Sequence, residues 1–332
     1  MSHNTETPEY ADVEAAARRI APYAYATPLI ENVLLNERSG GRVLLKLESL
    51  QRTGSFKIRG AGNRIALIPE RARAGGVVAF SSGNHAQGVA AAAAIYGMKA
   101  LIVMPKDAPR AKVAGVKALG AEIVFYDRAK DDREAVALGI CAERNATLVR
   151  PFDDAAVVAG QGTIGLELAR QAAALGASLD AVLVPCSGGG IASGIALALS
   201  KASPSTAVVS VEPERFDGLR LSLIAGKRVV APGGPLSIAD ALMATMPGLV
   251  PFAIAKRLMA PGLAVSDDDL RTAVAYSALR LKLIIETGGS AGLAAILGGK
   301  FDARGKTVAV VLTGGNCDFE TVCDCVERAG EI

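Results

Sequence analysis

Residues Leu179–Gly194 read LDAVLVPCSGGGIASG, and they are the clearest indication of the fold of this chain. A strand is predicted at Leu179–Val184, and its uninterrupted apolar run Ala181–Val184 is typical of a parallel strand that is covered on both faces. Three consecutive glycines follow, and the residues after them return to the apolar spacing of a helix. A strand, a glycine turn and a helix in this order form the repeating unit of a doubly wound α/β sheet.

The same alternation extends along most of the 332 residues. Further strands are predicted at Val43–Leu47, Gly76–Phe80, Ala100–Met104, Glu122–Tyr126, Thr147–Val149, Ala207–Val211 and Val308–Leu312. Helices are predicted at Ala86–Tyr96, Arg110–Leu119, Arg133–Arg144, Thr163–Ala174, Ile191–Lys201, Asp268–Leu283 and Phe319–Arg328. We therefore predict two doubly wound parallel-sheet domains, a larger one made of residues 1–75 and 153–332 and a smaller inserted one made of residues 76–152.

Composition excludes several classes of protein. The chain is 51% hydrophobic and 21% charged, which excludes a disordered protein. It has 36 basic and 33 acidic residues with no long basic run, and only 4% aromatic residues, so we expect no nucleic-acid partner. The sequence shows neither a signal peptide nor an apolar stretch of membrane-spanning length, and we expect a cytoplasmic protein with no membrane contact.

Metal chemistry is also not expected. Histidine occurs only twice, at His3 and His85, which removes any His-rich metal site. The cluster Cys317, Cys323 and Cys325 has no fourth ligand nearby, and five cysteines in a chain of this length suggest reduced thiols. We expect no bound metal.

Three glycine-bearing loops follow predicted strands, at Ser81–His85, Cys186–Gly190 and Thr313–Asn316. Ligands of parallel sheets bind beyond the carboxyl ends of the strands, where all three loops fall. The three glycines of the second loop, together with the helix N-terminus after them, favour a phosphate group.

Two other interpretations of the second loop remain open from the residues alone. Gly188, Gly190 and Ser193 nearly match the dinucleotide fingerprint, with Glu212 at a plausible distance for binding a ribose. Alternatively, the glycines serve only a tight turn that packs the helix against the sheet.

Lys57 points to one cofactor in particular. It follows a turn and lies between Phe56 and Ile58, and such apolar neighbours lower the pKa of an amine because desolvation disfavours its charged form. A neutral amine is what a Schiff base requires, although a single lysine is usually a solvated surface group. Combined with a phosphate loop, Asn84 and Thr313, the lysine indicates pyridoxal 5′-phosphate.

The motifs that carry this chemistry resemble those of the threonine/serine dehydratase and serine racemase family of pyridoxal-phosphate enzymes. They occur in the family's order and span nearly the whole chain: Thr53–Gly60, Ser81–Gly88, Ala159–Thr163, Cys186–Ile191 and Leu312–Asn316. The resemblance implies the tryptophan-synthase-β-like fold, with the cofactor in the cleft between the two domains. A homodimer or homotetramer is expected.

The resemblance also implies a role for each site residue. Lys57 forms the Schiff base with the cofactor and removes the substrate Cα proton, while Phe56 packs beside the cofactor ring. Asn84 binds the 3′-oxygen, and Thr313 presents a hydroxyl to the ring nitrogen, which favours β-elimination. The phosphate is held by Ser187, Gly188, Gly189, Gly190 and Ile191, and the substrate carboxylate by Ser81, Ser82, Gly83, Asn84 and His85.

The implied reaction is the elimination of water from a β-hydroxy-L-amino acid, threonine or serine by default, to give a 2-oxo acid and ammonia. Phe80, before the Ser81–His85 loop, favours an apolar substituent on the substrate. One alternative is a 3-hydroxyaspartate dehydratase, with Arg133 reaching the distal carboxylate, and another is a serine racemase that uses Lys57 and Ser82 on opposite faces of Cα. A nicotinamide-dependent oxidoreductase is the distant alternative.

One departure from the family's pattern concerns a divalent cation. The family often binds such an ion through a Glu after the strand and an Asp six residues later. Glu212 matches the first ligand, but Gly218 occupies the second position, so metal activation is not expected.

Overall fold

The computed structural model describes residues 6–108, 110–330 and 332, and these form two mainly parallel sheets with helices against their faces. The larger sheet has six strands in the order β1-β2-β10-β7-β8-β9. Its edge strand β1 is antiparallel to β2, and every other pair is parallel. The strands are β1 (Leu29–Glu31), β2 (Arg42–Leu47), β7 (Ala181–Pro185), β8 (Ala207–Pro213), β9 (Leu263–Val265) and β10 (Thr307–Leu312).

The smaller sheet has four parallel strands in the order β5-β4-β3-β6. They are β3 (Val77–Phe80), β4 (Ala100–Pro105), β5 (Glu122–Tyr126) and β6 (Thr147–Leu148). These strands all fall within residues 76–152, and the division of the chain into domains at those limits stays a prediction.

The helices follow the strands as in a doubly wound fold. Their limits are α1 (Tyr10–Ile20), α2 (Val33–Ser39), α3 (Lys57–Ala66), α4 (Asn84–Ile95), α5 (Arg110–Ala118), α6 (Arg133–Arg144), α7 (Ala155–Ala174), α8 (Gly190–Ala202), α9 (Gly218–Ala225), α10 (Leu249–Leu258), α11 (Asp267–Tyr276), α12 (Ala291–Leu297) and α13 (Phe319–Arg328). Of these, α1, α2, α3, α9, α10 and α12, together with β1 and β9, are absent from the predicted elements.

Both faces of the larger sheet are covered, which explains the apolar character of β7 and of most of β10. Val308, Val310 and Leu312 of β10 pack with α11 and α12 on one face. Ala309 and Val311 of the same strand point to the opposite face and pack with α7 and α8. Successive residues of a strand alternate between faces, so a strand covered on both sides is mostly apolar. The buried Lys46 of β2 and Glu212 of β8 are exceptions, and both have hydrogen-bonding partners. The predicted fold class is confirmed.

Two predicted helices have different limits in the structure. Helix α7 begins at Ala155 rather than Thr163, because the Asp154 carboxylate caps it by accepting hydrogen bonds from the N–H groups of Ala156 and Val157. The predicted helix Asp268–Leu283 is regular only to Tyr276 and continues as a wider, π-type turn. In the described part of the chain, no helix combines the length and the apolar character needed to cross a membrane.

Candidate active site

A cavity of about 220 Å³ is lined by the loops that follow β3, β7 and β10, at the carboxyl ends of these strands. Loops from both sheets therefore contribute to its wall. All the site residues predicted from the sequence line this one cavity: Phe56, Lys57, Ser81, Ser82, Gly83, Asn84, His85, Ser187, Gly188, Gly189, Gly190, Ile191 and Thr313.

Lys57 is the first residue of α3 and its amine reaches the cavity. The Nζ atom donates a hydrogen bond to the backbone oxygen of Pro151 at 2.9 Å and lies 5.0 Å from the centroid of the Phe56 ring. Burial lowers the pKa of Lys57 to about 8, against the opposing effect of the Glu286 carboxylate. About a tenth of this amine is therefore uncharged at pH 7, far more than for a solvated lysine with a pKa of about 10.4, and this direction agrees with the prediction made from its apolar neighbours.

Two helices begin at the cavity wall with their N-termini uncapped. Helix α4 follows Gly83 and helix α8 follows Gly189, and in neither case does a side chain of the described residues cap the helix. The first N–H groups of a helix have no acceptor within it, and the helix dipole makes this end partly positive. The cavity therefore has two places where an anion can bind to backbone N–H groups.

The glycine loop before α8 needs its glycines for backbone reasons. Gly189 has φ +96°, a conformation that side-chain-bearing residues rarely adopt. A Cβ atom on Gly188 would lie 2.4 Å from ring atoms of Phe152. Ser187 Oγ accepts a hydrogen bond from the Ala244 N–H at 3.1 Å, so its own proton remains free to be donated. The tight-turn and phosphate-binding interpretations are compatible in this geometry.

The segment just before Lys57 is hydrogen-bonded to the loop after β10. Ser55 and Gly314 form an isolated antiparallel bridge, and the Phe56 N–H donates to the Thr313 oxygen at 3.2 Å. The aromatic ring of Phe56 and the hydroxyl of Thr313 are therefore held at the same cavity, although they are far apart in the sequence.

Two residues contact Asn84 that were given no role from the sequence, although Asn316 belongs to one of the predicted loops. The Asn84 Nδ2 group donates to Glu286 Oε1 at 2.6 Å, and Asn84 Oδ1 accepts from Asn316 Nδ2 at 2.9 Å. Burial raises the pKa of Glu286 to about 7, with a smaller contribution from the Asp240 carboxylate in the same direction. The available signal was an acidic residue directly after the apolar run Leu283–Ile285 and shortly before two glycines.

His85 is buried and uncharged. Its Nε2 atom lies 2.8 Å from the backbone oxygen of Val149, which can only accept, so Nε2 carries the ring proton. Burial and the nearby Lys57 amine lower the pKa of His85 to about 3. The side chain therefore offers no positive charge to an anion, and its contribution to the start of α4 is the backbone N–H.

One wall of the cavity carries two cations. The Arg133 guanidinium lies 5.5 Å from the centroid of the Phe80 ring, and Lys112 forms an ion pair with Asp240. Phe80 alone suggested an apolar substituent on the substrate. The structure shows that the ring also supports a guanidinium, which makes this wall partly cationic.

Comparison with known proteins decides the family. Residues 20–314 match the family described as pyridoxal-phosphate dependent enzyme. The chain belongs to this family. It is 42% identical to the L-threo-3-hydroxyaspartate ammonia-lyase of Pseudomonas sp over 94% of this chain and 96% of that protein. It is 39% identical to the L-threonine ammonia-lyase of Thermotoga maritima over 94% of this chain and 76% of that protein.

Two solved structures have the same fold. The T.th. threonine deaminase superposes with a TM-score of 0.87 at 43% identity, covering 94% of this chain and 99% of that one. The serine racemase of maize superposes with a TM-score of 0.91 at 34% identity, covering 97% and 98%. The predicted family, fold and cofactor are confirmed.

Glu212 has a structural role in this pyridoxal-phosphate-dependent enzyme. It is fully buried, and its two oxygens accept hydrogen bonds from the N–H groups of Leu219 and Arg220 at 2.9 and 2.7 Å, at the start of α9. Burial raises the pKa of this carboxyl to about 8. The dinucleotide interpretation, which assigned Glu212 to a ribose, is therefore wrong. A Cβ atom on Gly218 would lie 2.5 Å from the Thr245 oxygen, so a larger residue there would require a backbone shift.

The Ala159–Thr163 motif of the pyridoxal-phosphate-dependent enzyme lies in α7 and packs against α3. A Cβ atom on Gly160 would lie 2.6 Å from the Arg59 backbone oxygen, so this glycine lets α7 approach α3 closely. Gln161 Oε1 accepts from the Gly60 N–H at 3.2 Å, and Thr163 accepts from Arg59 at 3.1 Å. The motif therefore positions the helix that begins with Lys57.

Proposed function

We propose that this enzyme eliminates water from a β-hydroxy-L-amino acid, with threonine or serine as substrate, and releases a 2-oxo acid and ammonia. The observation that carries the proposal is the buried Lys57 amine, whose lowered pKa makes it a usable base. It reaches a cavity where the uncapped N-termini of α4 and α8 can bind two anions, one for a cofactor phosphate and one for a substrate carboxylate.

The residues of the cavity fit pyridoxal phosphate. The backbone N–H groups from Gly188 to Ile191 and the free proton of the Ser187 hydroxyl would hold the phosphate. Phe56 would lie beside the ring, Asn84 would donate to the 3′-oxygen and Thr313 would place a neutral hydroxyl at the ring nitrogen. When bound, the cofactor supplies an electron sink that makes the α-carbon of an amino acid acidic.

The remaining steps are carried by this chain's own groups. The N–H groups at the start of α4 would bind the substrate carboxylate and orient Cα, and the neutral Nζ of Lys57 would take the Cα proton. The Cα–H and Cβ–O bonds of the substrate break, the proton taken by Lys57 is returned to the leaving hydroxyl, and water departs with Lys57 neutral again. The released enamine then hydrolyses to the 2-oxo acid and ammonia.

A second candidate substrate is 3-hydroxyaspartate, because of Arg133. Its guanidinium lines the cavity over Phe80, and no carboxylate of residues 6–108, 110–330 or 332 forms an ion pair with it. A distal substrate carboxylate would be a suitable partner. The similarity to the L-threo-3-hydroxyaspartate ammonia-lyase of Pseudomonas sp supports this candidate.

The proposal is tested by a visible spectrum of the purified protein before and after borohydride, followed by a 2-oxo acid assay. We expect an absorption band near about 410 nm that disappears on reduction. Mass spectrometry should then find the reduced cofactor covalently attached to Lys57. The assay compares L-threonine, L-serine and both 3-hydroxyaspartates, with Lys57→Ala as the inactive control. A protein that takes up no cofactor, or that forms no 2-oxo acid from any of the four, would overturn the proposal.

Three further expectations accompany this function. We propose that residues 76–152 form the smaller domain and that residues 1–75 and 153–332 form the larger one. Assembly into a homodimer or homotetramer and a cytoplasmic location remain predictions, which light scattering and cell fractionation would test.

A further inference from the structure

The side-chain amide of Asn84 has partners that permit only one orientation. An ionised carboxylate can only accept hydrogen bonds, so the contact with Glu286 identifies the Nδ2 end of Asn84. On the other side, Asn316 Nδ2 donates to the backbone oxygen of Thr53 at 2.8 Å, which fixes the orientation of Asn316. The same Nδ2 group then donates to Asn84 Oδ1 at 2.9 Å. Asn84 therefore keeps one N–H free to donate.

The Glu286 side chain lies close to the backbone at two glycines, Gly314 and Gly289. A Cβ atom on Gly314 would lie 2.3 Å from Glu286 Oε1, and a Cβ atom on Gly289 would lie 3.2 Å from its Cγ atom. The residue is only 7% exposed. These two glycines leave room for the carboxylate where larger residues would displace it.

We propose that Glu286 is a positioning residue that, together with Asn316, fixes the Asn84 amide so that it presents an N–H donor to the ring oxygen of the cofactor. This inference rests on the placement of Asn84 at that oxygen under the proposed function. Glu286 acts through Asn84, so removing the Glu286 carboxylate should weaken cofactor binding only while Asn84 is present.

The charges around Glu286 make this arrangement dependent on pH. Burial raises the pKa of Glu286 to about 7; the Asp240 carboxylate also raises it, whereas the hydrogen bond from Asn84 and the Lys112 and Lys57 amines lower it. Burial likewise raises the pKa of the Cys317 thiol to about 11, and the Glu286 carboxylate adds to this effect. Above about pH 7 Glu286 is ionised and can only accept. Below about pH 7, a protonated Glu286 can also donate a hydrogen bond, so either end of the Asn84 amide can face it and the orientation of that amide is no longer fixed.

The experiment measures the equilibrium dissociation constant of pyridoxal phosphate, by absorbance titration of each protein after cofactor removal. The variants are Glu286→Ala, Glu286→Gln, Asn84→Ala and the double variant Asn84→Ala/Glu286→Ala. Glu31→Ala is the matched control, because it removes a surface carboxylate that pairs with Arg42 away from the cavity. Thermal unfolding of each cofactor-free protein checks that the fold is retained.

We expect Glu286→Ala to weaken cofactor binding by about tenfold or more, the effect of losing a hydrogen bond to a charged group. Glu286→Gln keeps the shape of the side chain but can donate as well as accept, like protonated Glu286. Its cofactor binding should therefore lose its pH dependence around pH 7 and match that of the native protein at lower pH. The double variant should bind no more weakly than Asn84→Ala alone, because the two residues act as one unit.

Three results would overturn the inference. If Glu286→Ala binds the cofactor as tightly as Glu31→Ala, Glu286 does not position Asn84. Additive losses in the double variant would show that Glu286 acts independently of Asn84. If Asn84→Ala itself binds normally, the placement of Asn84 fails and the inference fails with it, whereas the 2-oxo acid assay can still support the lyase.

Discussion

Substituting Gly88 tests whether the close approach of α4 to α3 positions the reactive lysine. Gly88 is buried in the middle of α4, and a Cβ atom built on it would lie 2.9 Å from the backbone carbon of Lys57 and 3.0 Å from its Cβ atom. A third contact, 3.1 Å from the Ile58 nitrogen, is also with backbone. Backbone atoms cannot rotate away, so Gly88→Ala must separate the two helices.

The expected magnitude combines two opposing effects. Replacing a glycine in a helix interior by alanine stabilises the protein by up to about 1 kcal/mol. Overpacking a tightly packed interior costs about 1–3 kcal/mol, so Gly88→Ala should be neutral to destabilising by about 2 kcal/mol. A shift of roughly 1 Å in a catalytic group can cost about 100-fold in rate, and we expect a loss of 2-oxo acid formation of about 10- to 100-fold.

Gly139→Ala is the matched control. Gly139 is exposed in the middle of α6, and a Cβ atom there would meet nothing within 4 Å. This variant should therefore gain stability and keep full activity. The assays are thermal unfolding of the cofactor-free proteins and initial rates with L-threonine, L-serine and both 3-hydroxyaspartates. If Gly88→Ala matched Gly139→Ala in both assays, the helix contact would not position Lys57 and the reasoning would be refuted.

Three further predictions concern the buried ion cluster, the lysine and the serine of the site. Arg59→Met leaves the carboxylates of Glu48 and Glu167 without their shared guanidinium, and should destabilise the protein by about 3–5 kcal/mol in chemical denaturation. A loss below about 1 kcal/mol would contradict this role. In the cofactor-free protein, acylation of Lys57 followed by mass spectrometry should rise with pH through a midpoint near about 8, because only the neutral amine reacts. A midpoint near about 10.4, the value for a solvated lysine, would show that burial does not lower its pKa. Ser82→Ala should abolish any D-serine formation from L-serine while elimination persists, and equal loss of both products would contradict a role for Ser82 on the opposite face of Cα.

Most of the fold could be predicted because its signals are local. The strand Glu122–Tyr126 and the core of β10 are recognisable from consecutive residues, and helices α6 and α13 have the limits that their periodicity predicts. The start of α7 was missed because two glycines and adjacent valines weaken its helical signal. Its stability comes from the Asp154 cap and from packing against α3 and α8, which are not local properties.

Lys57, Asn84, the glycine loop and Thr313 could be proposed as one site from the sequence, because together they match the chemical groups of pyridoxal phosphate and the motifs of one family. Strand order alone would not have joined them, because Asn84 follows a strand of the smaller sheet whereas the glycine loop and Thr313 follow strands of the larger one. The sequence also indicated that the Lys57 amine would be partly neutral, since its neighbours are apolar. What only the tertiary structure decided is how distant loops face one another. Asn84 meets Glu286 across 202 residues and Asn316 across 232 residues, and no local pattern encodes such a pairing.

The same distinction applies to Glu212 and Arg133. Sequence spacing permitted a ligand role for Glu212, but the fold directs both of its oxygens to the start of α9. Arg133 is an exposed residue of α6, as the sequence allowed, and its guanidinium nevertheless lies over the Phe80 ring at the cavity. The amino-acid sequence by itself determined which residues form strands, turns and reactive groups, because those depend on neighbouring residues. The tertiary structure decided which groups lose water and which partner each one meets, because desolvation and hydrogen bonding depend on segments that are close in space and remote in sequence.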